Sequence, residues 1–292
     1  MTNLSLNLEN KSIKTKTKLK FNFSSVTLHA IMIFICVLTF TPLLITIFTA
    51  FKSPPQIAAD FPLKPPTSFY IENFKYAMKE GNFLLGLKNS FILVFISLVL
   101  NIVIGTTSAF ILARFEFKAK KLIMGLFMIG LVLPGVITEI SRFVLIKHLG
   151  AYNTFFAPIL IYSATDMLQL YIYTQFLETI PISLDESVRV DGGSTWTIYS
   201  RIIFPLLLPA TATIGIVKCI NVLNDMYIPY LYMPSAKLRT LTTILMDFNS
   251  AITGKMQYLS AAVIIVALPT ILIYLLFQKY IFAGIVAGAV KE

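Results

Sequence analysis

The residues in this chain that could do chemistry are polar groups set inside long apolar runs. Lys218, Asn221 and Asp225 stand at positions i, i+3 and i+7, so in a helix one face carries a cation, an amide and a carboxylate, with Asn224 beside them. Tyr162, Asp166, Gln169 and Tyr173 follow i, i+4, i+7 and i+11, again a single face. Glu139 and Arg142 lie near the end of a third run. A charged side chain at the middle of a membrane helix costs about 2.5–3.5 kcal/mol on insertion scales, so such groups face a protein interior or an aqueous path. Carboxylates, amides and phenol rings on facing stripes suit a polyhydroxylated solute, whose hydroxyls take two-pronged partners and whose C–H faces stack on rings. Two other uses of the same residues stay open. One is hydrogen bonding between helices, worth about 0.6 kcal/mol per contact. The other is a proton or sodium site at Asp166, Lys218 and Asp225, as in an ion-coupled transporter. Asn101 reads as an interhelical contact, and the small residues of Gly105–Ala109 as a place of close helix packing.

Covalent chemistry finds no footing. A phosphate-binding loop needs G-x-x-x-x-G-K-[ST], whose backbone amides cradle the phosphates. The one Gly-Lys pair, Gly254-Lys255, is followed by Met256 and preceded five residues earlier by Asn249. His29 and His148 are isolated, which leaves no metal-ligand cluster and no nucleophile–base pair. The expectation is a chain with no catalytic residues, no metal and no bound cofactor of its own.

The elements that position these residues follow from composition. Of the 292 residues 57% are hydrophobic and only 13% charged, with a mean hydropathy of +0.79; soluble domains have about 25% charged residues. The net charge of +10 does not point to nucleic acid, because the lysines and arginines fall in loops between apolar runs. It fits the anionic surface of a lipid bilayer. Cys36 and Cys219 both lie inside apolar runs and define no disulfide framework. Residues 1–25 form a polar, lysine-rich N-terminal segment. The apolar run after it is too long for a signal core, so it reads as a retained membrane helix. With about 20 apolar residues needed per crossing, six segments qualify: Val26–Phe51, Leu84–Leu112, Leu122–Ile146, Phe155–Phe176, Leu206–Tyr230 and Leu259–Ala283. The densest basic clusters, at 11–20 and 114–121, place both termini on the cytoplasmic side. The membrane domain is therefore 26–283 and the C-terminal tail 284–292. Pro42, Pro134 and Pro269 are expected to kink their helices. A proline-rich outer loop from Lys52 to Gly81 reads equally well as a contact for an extracellular protein or as a packed cap.

One long polar interruption, Pro181 to Pro209, separates the fourth segment from the fifth. Pro181 ends the preceding helix. Ser183 and Glu186 have the spacing of a capping box, which predicts a short helix over Leu184–Asp191 with Asp185 and Glu186 at its positive end. Gly192 and Gly193 break that helix, Ser194 caps a second one, and Pro205 stops it. The result is a helix–turn–helix elbow on the cytoplasmic side.

Glu186-Ser187-Val188, then Gly192, then Ile202-Ile203-Phe204-Pro205 resemble the EAA loop of ABC-transporter permease subunits, with Ser187 and Val188 where two alanines are usual. The flanks Ile180-Pro181 and Arg189 to Ser194 are similar to the carbohydrate-importer branch. So are Asn89-Ser90, Ala113-Arg114-Phe115, Leu149 to Thr154 and Gln175-Phe176. The end of the chain, Gln278 to Tyr280 and Ala287 to Lys291, resembles the maltose-type second permease. The resemblance implies an all-α membrane fold: a six-helix type I importer (MetI-like) permease bundle whose cytoplasmic EAA coupling helix contacts an ATPase. It implies that Asp185, Glu186, Arg189, Asp191, Gly192 and Pro205 serve that contact, with the C-terminal tail as a further one. The implied partners are a second permease subunit, two ATPase subunits carrying ATP and Mg, and an extracytoplasmic solute-binding protein. The implied function is import of a di- or oligosaccharide by alternating access. The residues leave open a non-sugar solute and an ion-coupled mechanism.

Overall fold

Apolar runs of this length must satisfy their backbone polar groups internally, and helices do so. The computed structural model describes residues 23–251 and 255–289, and among the described residues there is no strand. The elements in chain order are α1 Phe23–Phe51, α2 Pro54–Ala59, α3 Glu72–Gly81, α4 Phe83–Arg114, α5 Lys120–Val132, α6 Gly135–His148, α7 Phe156–Ser163, α8 Met167–Glu178 and α9 Ser183–Val190. They continue with α10 Thr195–Thr197, a π-helical turn Ile198–Ile203, α11 Phe204–Leu206, α12 Leu208–Asn224, α13 Tyr227–Tyr232, α14 Leu241–Ala251 and α15 Met256–Ala289. Of the expected N-terminal segment 1–25, residues 1–22 lie outside the described residues, as do 290–292 of the tail.

Residues up to Ile45 form one unit and those from Thr46 onward a second. In the second unit α4 packs on α7, α8 and α12, and α12 packs on α15. One core, around Phe110, Leu170, Tyr173, Leu177, Ile198 and Ile203, lies at the elbow end. Another gathers Leu93, Ile146, Tyr162, Val222, Ile228 and Tyr232. A third packs the C-terminal end of α1 and Phe83 against Phe248, Ala261 and Ala262. The loop after α1 is a packed cap: the buried Asn73 amide donates to the carbonyls of Ala50 (2.9 Å) and Lys52 (2.8 Å), and the Lys52 ammonium to that of Phe61 (3.0 Å). Outward-facing Phe95, Val132 and Ile140 are exposed, as a lipid-facing surface requires.

Three spans differ from the expectation. Among the described residues, Thr27–Phe51, Phe83–Arg114 and Met256–Lys279 are long and apolar enough to cross a membrane singly. The third predicted span is a bent pair, α5 and α6, parted at Leu133 and Pro134, because a proline removes a backbone donor and clashes with the preceding turn. The fourth, Phe155–Phe176, is not one helix. It breaks between Ser163 and Met167, where the Asp166 carboxylate accepts from the Gln169 backbone N–H (2.8 Å) and restarts the chain as a cap. The fifth ends at Asn224, where Asp225 turns extended and its carboxylate accepts from the amides of Tyr227 (2.7 Å) and Ile228 (3.3 Å). In the fourth and fifth spans a carboxylate spaced along one helical face prefers the free N–H groups at a helix start. By contrast α1 and α15 run on through Pro42 and Pro269.

Candidate functional site: the elbow and the broken helix

The elbow is α9, a tight turn, and the segment Thr195–Leu206. The expected capping box does not form. Ser183 is already helical, and the amides of Leu184 and Asp185 donate to the carbonyls of Pro181 (3.3 Å) and Ile182 (2.9 Å). Ile182 stands at the cap position with no side-chain acceptor to offer, and Pro181 lies just outside the helix. The turn is as expected: Gly192 holds φ +79° and the Gly193 amide donates to the Val188 carbonyl (2.8 Å). Ser194 also caps as expected, accepting from the Thr197 amide at 3.2 Å. Pro205 does not stop the second helix. The turn before it is wound as a π-helix, and the sharp bend of 70° comes after it, between Leu206 and Leu208. The wider winding accommodates a residue that has no N–H to donate.

The elbow helix is two-sided. Asp185 is buried and Val188 packs into the core beside it, whereas Glu186, Arg189, Asp191 and Gly192 are exposed, as is Pro205 further on. Val190 at 87% and Trp196 at 68% exposure add apolar surface on the outer side. Asp185 faces inward to Arg114 at the end of α4. The guanidinium Nε lies 3.1 Å from Asp185 Oδ2, and Nη2 donates to the Ile180 carbonyl at 2.7 Å. The Asp185–Arg114 pairing was not legible in the sequence; only the run Ala113-Arg114-Phe115 had singled the arginine out.

The second feature is the break between α7 and α8. The carbonyls of Ser163 and Ala164, freed by the break, accept from the Asn101 amide of α4 at 3.4 and 2.9 Å. Gln169 donates back to Asn101 Oδ1 at 2.8 Å. A Cβ on Gly105 would stand 2.6 Å from the Gln169 amide nitrogen, so the glycine admits this contact. The interhelical reading of Asn101 and the close-packing reading of Gly105 both agree with these contacts. The break borders a cavity of about 950 Å³ between α5, α6, α7 and α8, lined by Arg142, Thr165 and Asp166 amid Leu131, Leu145 and Leu168. Asp166 is exposed there and close enough to Lys218 of α12 to attract it electrostatically.

The remaining polar candidates are brought together differently. The Tyr162 hydroxyl donates to Asp225 Oδ2 at 2.7 Å, while Thr242 donates to the Asp225 carbonyl at 2.9 Å. Asn224 Oδ1 accepts from Thr270 (3.1 Å). Glu139 accepts from the Tyr232 hydroxyl at 2.7 Å and lies 3.4 Å from Arg142. Asn221 is exposed on α12. The proposed single faces therefore do not survive as faces. Asp225 leaves the Lys218–Asn221 stripe at the end of α12, and Asp166 leaves the Tyr162–Tyr173 stripe at the break.

Comparison with known proteins places these features in a family. The model of the binding-protein-dependent transport system inner membrane component matches residues 101–286. A putative ABC transporter permease protein of Caldicellulosiruptor sp. (strain Rt8B.4) is 34% identical over 251 residues, covering 86% of this chain and 91% of that one. The melibiose/raffinose/stachyose import permease MelC of Bacillus subtilis (strain 168) is 30% identical over 254 residues, covering 86% and 91%. The crystal structure of a bacterial ABC transporter that imports the acidic polysaccharide alginate aligns with a TM-score of 0.77 at 18% identity, over 88% of this chain and 96% of that one.

Proposed function

Because the chain belongs to the family of binding-protein-dependent transport system inner membrane components, we propose that it is the permease subunit of an ATP-driven sugar importer. The observation that carries this reading is the elbow. It is tied to α4 by Arg114 and Asp185 on one face and presents Glu186, Arg189 and Val190 on the other. An amphipathic helix held this way can receive a push from an ATPase subunit and pass it inward. In this reading α7 and α8 together make a further crossing beside the two bent pairs, both termini are cytoplasmic, and Asp191 and Pro205 shape the elbow's two ends. ATP and Mg belong to two partner ATPase subunits. A second permease subunit and an extracytoplasmic solute-binding protein complete the assembly, and the path opens alternately to either side.

The sugar class rests on relatives such as the melibiose/raffinose/stachyose permease and on the groups at the break. Asp166 at the break offers a carboxylate to hydroxyls beside an apolar wall, and Lys218 and the exposed Asn221 on α12 add a cation and an amide, while the buried Gln169 holds Asn101 behind Asp166. Tyr162, Asn224, Asp225 and Glu139 support this surface by holding the helix ends around it. The experiment is uptake of labelled di- and oligosaccharides by the complex reconstituted with its ATPase, second permease and binding protein. ATP-dependent accumulation of at least one sugar is expected. Accumulation that follows an ion gradient and ignores ATP would overturn the proposal.

A further inference from the structure

Arg114 and Asp185 form an ion pair whose side chains are only 9% and 8% exposed. Removing two charges from water is a substantial expense, and a buried pair of this kind is often no more stabilising than apolar residues of the same size. Its presence calls for a role other than stability, and its position supplies one. Arg114 is the last residue of α4, and its fork reaches two places at once. Nε faces Asp185 in the first turn of the elbow helix, and Nη2 holds the carbonyl of Ile180 in the link from α8.

The same helix carries the other ties. The hydroxyls of Thr106 and Tyr199 lie 2.8 Å apart; Thr106 gives its own proton to the Ile102 carbonyl, so Tyr199 in the π-helical turn is the donor. Further along α4, Asn101 holds the carbonyls of the α7–α8 break. One continuous helix thus grips the elbow at Arg114, the elbow's exit at Thr106 and the break beside the cavity at Asn101. We infer that Arg114 is a positioning residue for transport: its fork locks the elbow helix and the Ile180 hinge to α4, so that displacement of the elbow moves α4 and with it the broken helix at the cavity.

This inference rests on the importer reading, and its test separates the two. The double variant Arg114→Met/Asp185→Leu removes both buried charges together, so assembly should persist. Arg114→Lys keeps a charge opposite Asp185 but has no planar fork to hold Asp185 and Ile180 together. Each is expressed with the full complex, and sugar uptake is measured per ATP hydrolysed and per assembled complex. ATP hydrolysis should continue in both, while uptake per ATP falls about tenfold or more in the double variant and several-fold in Arg114→Lys. If either assembled variant keeps the wild-type ratio, the lock is not a coupling element. A double variant that fails to assemble leaves the decision to Arg114→Lys. If the unmodified complex shows no ATP-linked uptake of any sugar, the importer reading itself fails.

Discussion

Replacing Gly192 isolates backbone conformation from packing. The residue holds φ +79° in the turn after α9, and nothing lies within 4 Å of where a Cβ would stand. A side chain there meets open space, so its only penalty is the left-handed conformation. For an ordinary L-residue that amounts to about 1–2 kcal/mol, or about 5- to 30-fold in the population of the native turn. Asparagine visits this region readily, and a β-branched residue is the least suited to it. Uptake per assembled complex should therefore rank glycine and asparagine first, then alanine, then valine. Membrane insertion should be unchanged, because no apolar span is altered. The assay is ATP-linked sugar uptake with Gly192→Asn, Gly192→Ala and Gly192→Val, each normalised to purified complex. If Gly192→Asn is as impaired as Gly192→Val, or Gly192→Val transports normally, the turn does not set the elbow. The neighbouring glycine gives a contrast. A Cβ on Gly193 would lie 2.4 Å from Val188 Cγ1 and 2.9 Å from the Val188 carbonyl, so the defect of Gly193→Ala is steric, about 1–3 kcal/mol. Val188→Ala should relieve it in part.

Asp225→Leu is expected to lower the yield of assembled complex, since Tyr162 and the amides of Tyr227 and Ile228 all lose their acceptor. Asp166→Asn keeps an oxygen to accept from the Gln169 amide and removes only the charge, so it should instead lower uptake per assembled complex, because Asp166 faces the cavity; proportional losses of assembly and uptake in both would refute the distinction. Asn101→Leu leaves two carbonyls of the break without their donor. It should destabilise the complex by about 1–3 kcal/mol, read as a lower melting temperature, and an unchanged one would contradict the bracing role. Finally, the purified chain free of other subunits should hydrolyse no ATP, since Gly254-Lys255 stands in no phosphate-binding loop; steady turnover by such a preparation would show otherwise.

The sequence by itself determined the class of this protein and the place of its elbow. Long apolar runs permit helices in a bilayer and little else, and a glycine pair between Pro181 and Pro205 has local conformational consequences that need no partner. Gly192 and Ser194 behave as their types dictate, because turns and caps are settled within a few residues. What only the tertiary structure decided is where the long spans break. Asp166 and Asp225 share a face with their neighbours if the helix is assumed continuous. Each leaves it because a helix start offers unpaired amides, and because Asn101 on α4 and Tyr162 on α7 are present to satisfy what the break exposes. Those partners lie 63 residues away along the chain in each case. The Arg114–Asp185 lock is hidden for the same reason. Nothing in the spacing of an arginine and an aspartate on different elements tells that folding will bury them against each other.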